Sequence, residues 1–115
     1  MRILNLALCG DRHEIPHATE GYIFETINNI TSPKSLEETA FSRLWSIAYN
    51  EGYVIPSDDD EYQLYISNDV HINLYVTGLT VALIAVLNVC RAEGLSVTLW
   101  HYDKITNNYF SQEVR

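Results

Sequence analysis

Residues His71–Asp103 read HINLYVTGLTVALIAVLNVCRAEGLSVTLWHYD, and the fold turns on this stretch. His71–Val76 (HINLYV) has the β-branched and aromatic content of a strand. Thr77 and Gly78 follow as a tight turn, since glycine permits the sharp reversal from strand to helix. From about Gly78–Thr80 to Gly94 the side chains are apolar almost without interruption, and Gly94 is a stop signal, so this run is a helix. Leu95–Trp100 (LSVTLW) is the returning strand, ended by His101-Tyr102-Asp103. Strand, helix and strand at this spacing form a right-handed βαβ unit with parallel strands.

The helix of that unit has almost no polar face. Leu79, Val81, Ala82, Leu83, Ile84, Ala85, Val86, Leu87, Val89 and Cys90 go nearly all the way round. Such a helix is buried on most sides, and one domain of this size hardly has enough layers to cover it. Part of it is therefore expected to pack against a second copy of the chain, giving a homodimer or a higher homo-oligomer.

Outward from the unit, Arg2–Cys9 (RILNLALC) is apolar except at Asn5 and its ends. It reads as a strand buried on both faces, as in parallel or mixed sheets covered by helices. Gly10–Pro16 is a polar loop beyond its carboxyl end, where open α/β sheets hold ligands. Asp11, Arg12, His13 and Glu14 are candidates there. Gly21 and the residues after it favour an extended segment. Thr31-Ser32-Pro33-Lys34 reads as a turn. Ser35 with Glu38 makes a capping box for a helix over about Leu36–Glu51, stopped at Gly52. Its apolar stripe is Leu36, Ala40, Leu44, Ile47 and Ala48. Tyr53–Ile55 is a brief strand. Ser57–Glu61 is an acidic turn without the spacing of an EF-hand loop. Tyr62–Ser67 alternates like a strand and is expected to form a hairpin with His71–Val76 around Asn68-Asp69. Tyr109–Val114 is a last, antiparallel strand. The expected fold class is α/β: residues 1–115 as a single compact Rossmann-like or ferredoxin-like domain, with a mixed sheet and a central βαβ unit.

Composition bounds the function. The chain is 47% hydrophobic and 19% charged, ordinary for a globular protein. With 15 acidic and 7 basic side chains its formal charge is −8. That excludes unspecific binding to duplex nucleic acid or to an anionic membrane, which needs a basic surface. A small anion held by backbone N–H groups is still permitted, because that grip is local. Cys9 and Cys90 sit in apolar runs with neither CxxC nor disulfide-framework spacing, as buried thiols in a reduced cytoplasm do. Met1-Arg2 leads directly into a strand without a cleavage site. Leu74–Cys90 is shorter than the about 20 apolar residues of a membrane span and begins as a strand. A cytoplasmic protein is expected.

Two stretches carry candidate chemistry. In Val76-Thr77-Gly78-Leu79-Thr80 the first helical N–H groups point, unpaired, toward the carboxyl edge of the sheet. With the helix dipole they make an anion site, to which Thr77 and Thr80 add hydroxyls. The alternative is that Thr77 or Thr80 merely caps the helix. The stretch is neither a P-loop, having no GxxxxGK[ST], nor a GxGxxG turn. At the end of the returning strand His101 and Asp103 share one side. Histidine is the usual proton-transfer group near neutral pH. His13 and His17 follow the first strand and could converge on the same edge. Together these residues could hold Mn²⁺ or Zn²⁺, or place an acid and a base near a phosphodiester. The alternative for each histidine is a surface or packing role.

YVTGLTVALIAVLNVCRAEGLSVTLWHYD resembles the nucleotide-contacting half of CARF-type domains. It is also similar to small CRISPR-associated ring nucleases, in which such a unit is followed by a strand ending in Tyr-Asp and a last strand containing Gln. Here those are Tyr102-Asp103 and Phe110-Ser111-Gln112-Glu113-Val114. Ile3-Leu4-Asn5-Leu6 and Pro16-His17-Ala18-Thr19 look like the opening of small phage and CRISPR-neighbourhood proteins. The likeness is close over the quoted unit and loose elsewhere. It implies a dimer that binds a cyclic oligoadenylate second messenger at the dimer interface, and in some members cleaves it. By this likeness Asn5, Thr77, Gly78, Leu79, Thr80 and Tyr102 would contact ligand, and His101, Asp103 or His13 would assist cleavage. The chain departs from the pattern in having no basic residue in the turn. Arg12 is the candidate to compensate. Three readings follow: ring cleavage, sequestration without cleavage as in phage counter-defence, and a structural subunit whose turn is only a cap.

Overall fold

A computed structural model describes residues 1–10, 15–27, 32–59, 62–77 and 79–114. The elements in chain order are β1 (Arg2–Cys9), β2 (Gly21–Phe24), α1 (Pro33–Asn50), β3 (Val54–Pro56), β4 (Leu64–Ile66), β5 (Val70–Tyr75), α2 (Thr80–Ala92), β6 (Ser96–Asp103) and β7 (Asn108–Glu113). Five strands form one sheet in the order β2-β1-β5-β6-β7. The first four are parallel and β7 runs antiparallel to β6. The expected βαβ unit is thus present as β5-α2-β6, in a single mixed α/β domain. Of the two topologies expected, the parallel order is the Rossmann-like one.

The handedness of parallel crossovers explains the layers. From β1 to β2 the chain steps one way across the sheet; from β2 to β5 and from β5 to β6 it steps the other way. Right-handed connections then lie on opposite faces. Both helices belong to the second direction, so α1 and α2 share one face and pack on each other. Leu4, Leu6, Leu8, Ile72, Leu74, Val97 and Leu99 point at them and form the core with Leu36, Leu44, Ala82, Val86 and Val89. The β1-to-β2 connection has no helix among the described residues; Ile15 packs there on Ala7 and Tyr75. Strand β1 is buried on both faces from Leu6 to Cys9, as expected, but not at its start, where Ile3 is 43% exposed.

Other expectations are corrected at element ends. Helix α1 begins earlier than the Ser35 capping box. Ser32 is the N-cap, its Oγ accepts from the Ser35 N–H at 3.4 Å, and Pro33 occupies the first turn. Proline's fixed φ and missing N–H suit that position, so the segment read as a turn starts the helix. The buried stripe of α1 is the one expected: Leu36, Ala40, Leu44, Ile47 and Ala48. Strand β4 does not form a hairpin with β5. It pairs antiparallel with β3 in a separate two-stranded sheet, because both edges of β5 are occupied by β1 and β6. Helix α2 buries Ala82, Ala85, Val86, Val89 and Cys90 and leaves Ile84 52% exposed, so one domain does not cover this apolar helix completely. Strand β6 ends with His101-Tyr102-Asp103, as expected, and β7 pairs with those residues. Among the described residues no helix is long and apolar enough to cross a membrane.

Cys9 and Cys90 are both buried. Burial, with a smaller contribution from Glu93, pushes the Cys90 thiol from 9.0 up to about 12. Below pH 9 the thiol is protonated whether the chain is folded or not. Above it only the unfolded chain loses the proton, so the stabilisation is lost as pH rises toward 12. Tyr75 is also raised, by burial and by Tyr109, from a higher starting value of 10.0. Urea denaturation at pH 8, 9 and 10 should therefore show wild-type stability falling above pH 9. Cys90→Ala should be less stable throughout but show a flatter dependence. An identical slope in the variant would contradict the assignment.

Candidate functional site

The direction of the crossovers reverses between β1 and β5. In open α/β sheets the crevice outside the carboxyl ends of such a strand pair is where ligands bind. Here those ends are Cys9-Gly10 and Tyr75-Val76. Gly10 is required by a close approach: a Cβ there would meet the Tyr22 ring at 2.8 Å. Tyr22 is in turn covered by the Arg43 guanidinium, 4.8 Å from the ring centroid, and the Arg43 Nε–H donates to the Tyr22 carbonyl at 2.8 Å.

At the end of β5 the chain enters α2 through Thr77 and Leu79. Leu79 is the N-cap residue, with extended backbone (φ −93°, ψ 100°) and no side-chain cap bond. Leucine has no oxygen to offer the orphan N–H groups of the first turn. The first turn holds no acidic side chain to repel an anion. The Thr77 hydroxyl does not cap either: its Oγ1 is buried and has no hydrogen-bond partner among the described residues. A buried hydroxyl without a partner costs about 1–3 kcal/mol. Thr80 is the first helical residue and is exposed. Gly78 lies outside the described residues.

The sheet register brings the end of β6 to the same edge. The Trp100 carbonyl accepts from the Val76 N–H at 2.9 Å, so His101 follows at the level of the turn. It is on the helix side of the sheet, by alternation from Leu99. Its ring stacks on Phe110 at 5.2 Å and its Nε2 meets Gln112 Oε1 at 3.0 Å. Both contacts are on β7. Asp103, on the same side, accepts from the Ile105 N–H and the Thr106 hydroxyl at 3.0 Å each. It thereby closes the β6–β7 turn, in which Asn107 has φ 57°. Tyr102 is on the opposite face, its ring against Tyr109 and its hydroxyl donating to Asn107 Oδ1 at 2.9 Å. Asn5 is in mid-sheet, away from the edge. Arg12 and His13 lie outside the described residues. Thr77, Leu79, Thr80 and His101 are thus at the carboxyl edge, His101 on the helix side, whereas Asn5 and Tyr102 are on the other face. Among the described residues no three His, Cys, Asp or Glu side chains gather as a metal site.

That other face carries a network that sequence reasoning missed. Trp100 Nε1–H donates to Asn73 Oδ1 at 3.2 Å, and Asn73 Nδ2 donates to Asn5 Oδ1 at 2.9 Å. His71 bridges Ser96 Oγ at 2.7 Å and Thr98 Oγ1 at 2.8 Å. His17 stacks on Tyr75 at 5.6 Å and meets the edge of Tyr109 at 5.4 Å. The period-two pattern His71, Asn73, Tyr75 beside Ser96, Thr98, Trp100 was the available signal. Away from the edge, a groove of about 540 Å³ between β2 and α1 is lined by Tyr22, Glu38, Ser42 and Arg43, among others.

Comparison with protein-family models, with curated proteins and with solved structures finds no match for this chain.

Thr77→Val keeps the side-chain shape and removes the orphan hydroxyl. It should leave thermal stability unchanged or raise it by about 1 kcal/mol. A clear fall in the melting temperature would show that the hydroxyl is bonded in the folded protein.

Proposed function

We propose that the chain binds a cyclic oligoadenylate-type second messenger at the carboxyl edge of β5 and opens its ring, in the manner of a CARF-like, CRISPR-associated ring nuclease acting in the cytoplasm as a homo-oligomer. One observation carries the reading. A buried hydroxyl without a partner among the described residues, Thr77 Oγ1, adjoins a helix N-terminus without a side-chain cap. Both stand at the point of the sheet where the crossovers reverse. Donors without acceptors at such a place suit phosphate oxygens. First-turn N–H groups and the Thr77 and Thr80 hydroxyls would supply the grip, locally enough to work in a protein of charge −8.

In the ring-opening step the ribose 2′ oxygen attacks the adjacent phosphorus and the P–O5′ bond breaks. The product is linear, with a 2′,3′-cyclic phosphate at one end and a 5′ hydroxyl at the other. The 2′-OH proton must leave and the departing O5′ must gain one. His101 is the group assigned to this transfer. Gln112 Oε1 accepts from Nε2–H, which leaves Nδ1 with the lone pair of a base. The same first-turn N–H groups would stabilise charge building on the phosphate.

Sequestration without cleavage is the second reading. It is favoured by the contacts that hold the Asp103 carboxylate in the β6–β7 turn and the His101 ring on β7.

The test is incubation with cyclic triadenylate and cyclic tetraadenylate, with and without Mn²⁺, followed by chromatography. A linear product ending in a 2′,3′-cyclic phosphate is expected. Bound but intact ligand selects sequestration, and no binding removes both readings. Thr77→Val should weaken binding about tenfold, or 1.4 kcal/mol. His101→Ala should slow turnover by roughly 10²- to 10⁴-fold at little cost in affinity.

A further inference from the structure

We propose that two copies of the chain join edge to edge through β7, in antiparallel pairing centred on Ser111. The two edges of the five-stranded sheet are treated differently. At β2 the Arg43 side chain covers the strand by bonding the Tyr22 carbonyl. At β7 no strand lies beyond Asn108–Glu113 among the described residues. The Val114 N–H donates to the Val97 carbonyl at 3.2 Å, toward β6. Backbone groups alternate in direction along an antiparallel strand. Those of Tyr109, Ser111 and Glu113 therefore face outward.

Natural edge strands are usually shielded by lysine, proline, a bulge or a very short length. Strand β7 has none of these. Its sequence NYFSQE contains no Lys, Arg or Pro. Its pairing with β6 is one to one from Thr98–Glu113 to Asp103–Asn108, without an inserted residue. Its exposed side chains mix polar and apolar groups: Asn108, Ser111, Gln112 and Glu113 are exposed, and with them Phe110 at 54% and, just beyond the strand, Val114 at 39%. Between α2, the start of β6 and Val114 lies a groove of about 370 Å³, lined by Leu87, Asn88, Arg91, Leu95, Val97 and Val114, among others.

The occupant follows from the register. A two-fold axis through Ser111, perpendicular to the sheet, sets Ser111 opposite Ser111 of the partner subunit and Tyr109 opposite Glu113 of the partner subunit. Every outward N–H and C=O of the three residues is then paired, and directly opposite residues stay on the same face of the sheet. A centre shifted to Phe110 or Gln112 leaves one of the three outward residues unpaired. The strand's one charge, Glu113, meets a tyrosine rather than its own copy. A surface that completes itself under a two-fold rotation is what a closed homodimer requires. The inference stands without the nucleotide reading. If both hold, the two Thr77 turns lie on opposite edges of the joined sheet and each protomer keeps its own site, a departure from the interface site that the resemblance implies.

Ser111→Cys provides the test. On the axis the two Cα atoms would be about 5.5 Å apart, within disulfide range. The native cysteines are buried and do not compete. Wild-type protein should sediment as a dimer at micromolar concentration. Ser111→Cys should form a disulfide-linked dimer rapidly under mild oxidant, and Glu113→Cys, which faces Tyr109 of the partner subunit, should do so at least tenfold more slowly. Phe110→Glu should give a folded monomer. A monomeric wild type, or equal cross-linking through positions 111 and 113, would overturn the proposal.

Discussion

The parallel pairing of β1 with β5 is the constraint on which the rest depends. Six residues of each strand are in register, from Arg2 against Val70 to Ala7 against Tyr75. Crossovers leave this pair in opposite directions, and their fixed hand assigns them to opposite faces. The helices come with one direction only. The same pair therefore accounts for the two-helix layer, for the polar and aromatic face left on the other side, and for a crevice at the carboxyl ends of β1 and β5. It also explains why β4 is excluded from the main sheet, since β5 has no free edge to offer.

The unit β5-α2-β6 was legible because its signals are local. A continuous apolar run and a glycine at the end, Gly94 with φ 70°, need no tertiary information. The α1 stripe was legible for the same reason. Errors arose where a distant partner decides. Ser32 and Ser35 are both good caps, and Pro33 settles the choice by fitting the first turn. Tyr62–Ser67 is next to β5 in sequence, but adjacency cannot reveal that β5 is already paired on both sides. The contacts of His101 and Asp103 depend on β7, which ties both residues to the hairpin. The exposure of Ile3 on β1 reflects a face on which the described residues place no helix, which no residue of β1 announces.

The site was legible in outline. The Thr77–Thr80 turn stood out as a strand-to-helix junction. Whether its hydroxyls cap the helix depends on which residue is the N-cap, and that is Leu79. A leucine at this position offers the first-turn N–H groups no side-chain acceptor, and the Thr77 oxygen has no hydrogen-bond partner among the described residues. Asn5 shows the opposite case. Read as a ligand contact, it sits in mid-sheet in a chain of side-chain bonds with Asn73 and Trp100. The amide side chains on this face bond one another, whereas the Thr77 hydroxyl at the carboxyl edge of β5 has no partner among the described residues.

Backbone amide mapping tests the central claim most directly. In a ¹⁵N correlation spectrum titrated with cyclic tetraadenylate, the largest shifts should fall on Thr77, Thr80, Val81 and Ala82, with Tyr22 and Arg43 in the β2–α1 groove unmoved. Saturating ligand that leaves the first turn of α2 unshifted, or that perturbs the β2–α1 groove instead, would contradict the account.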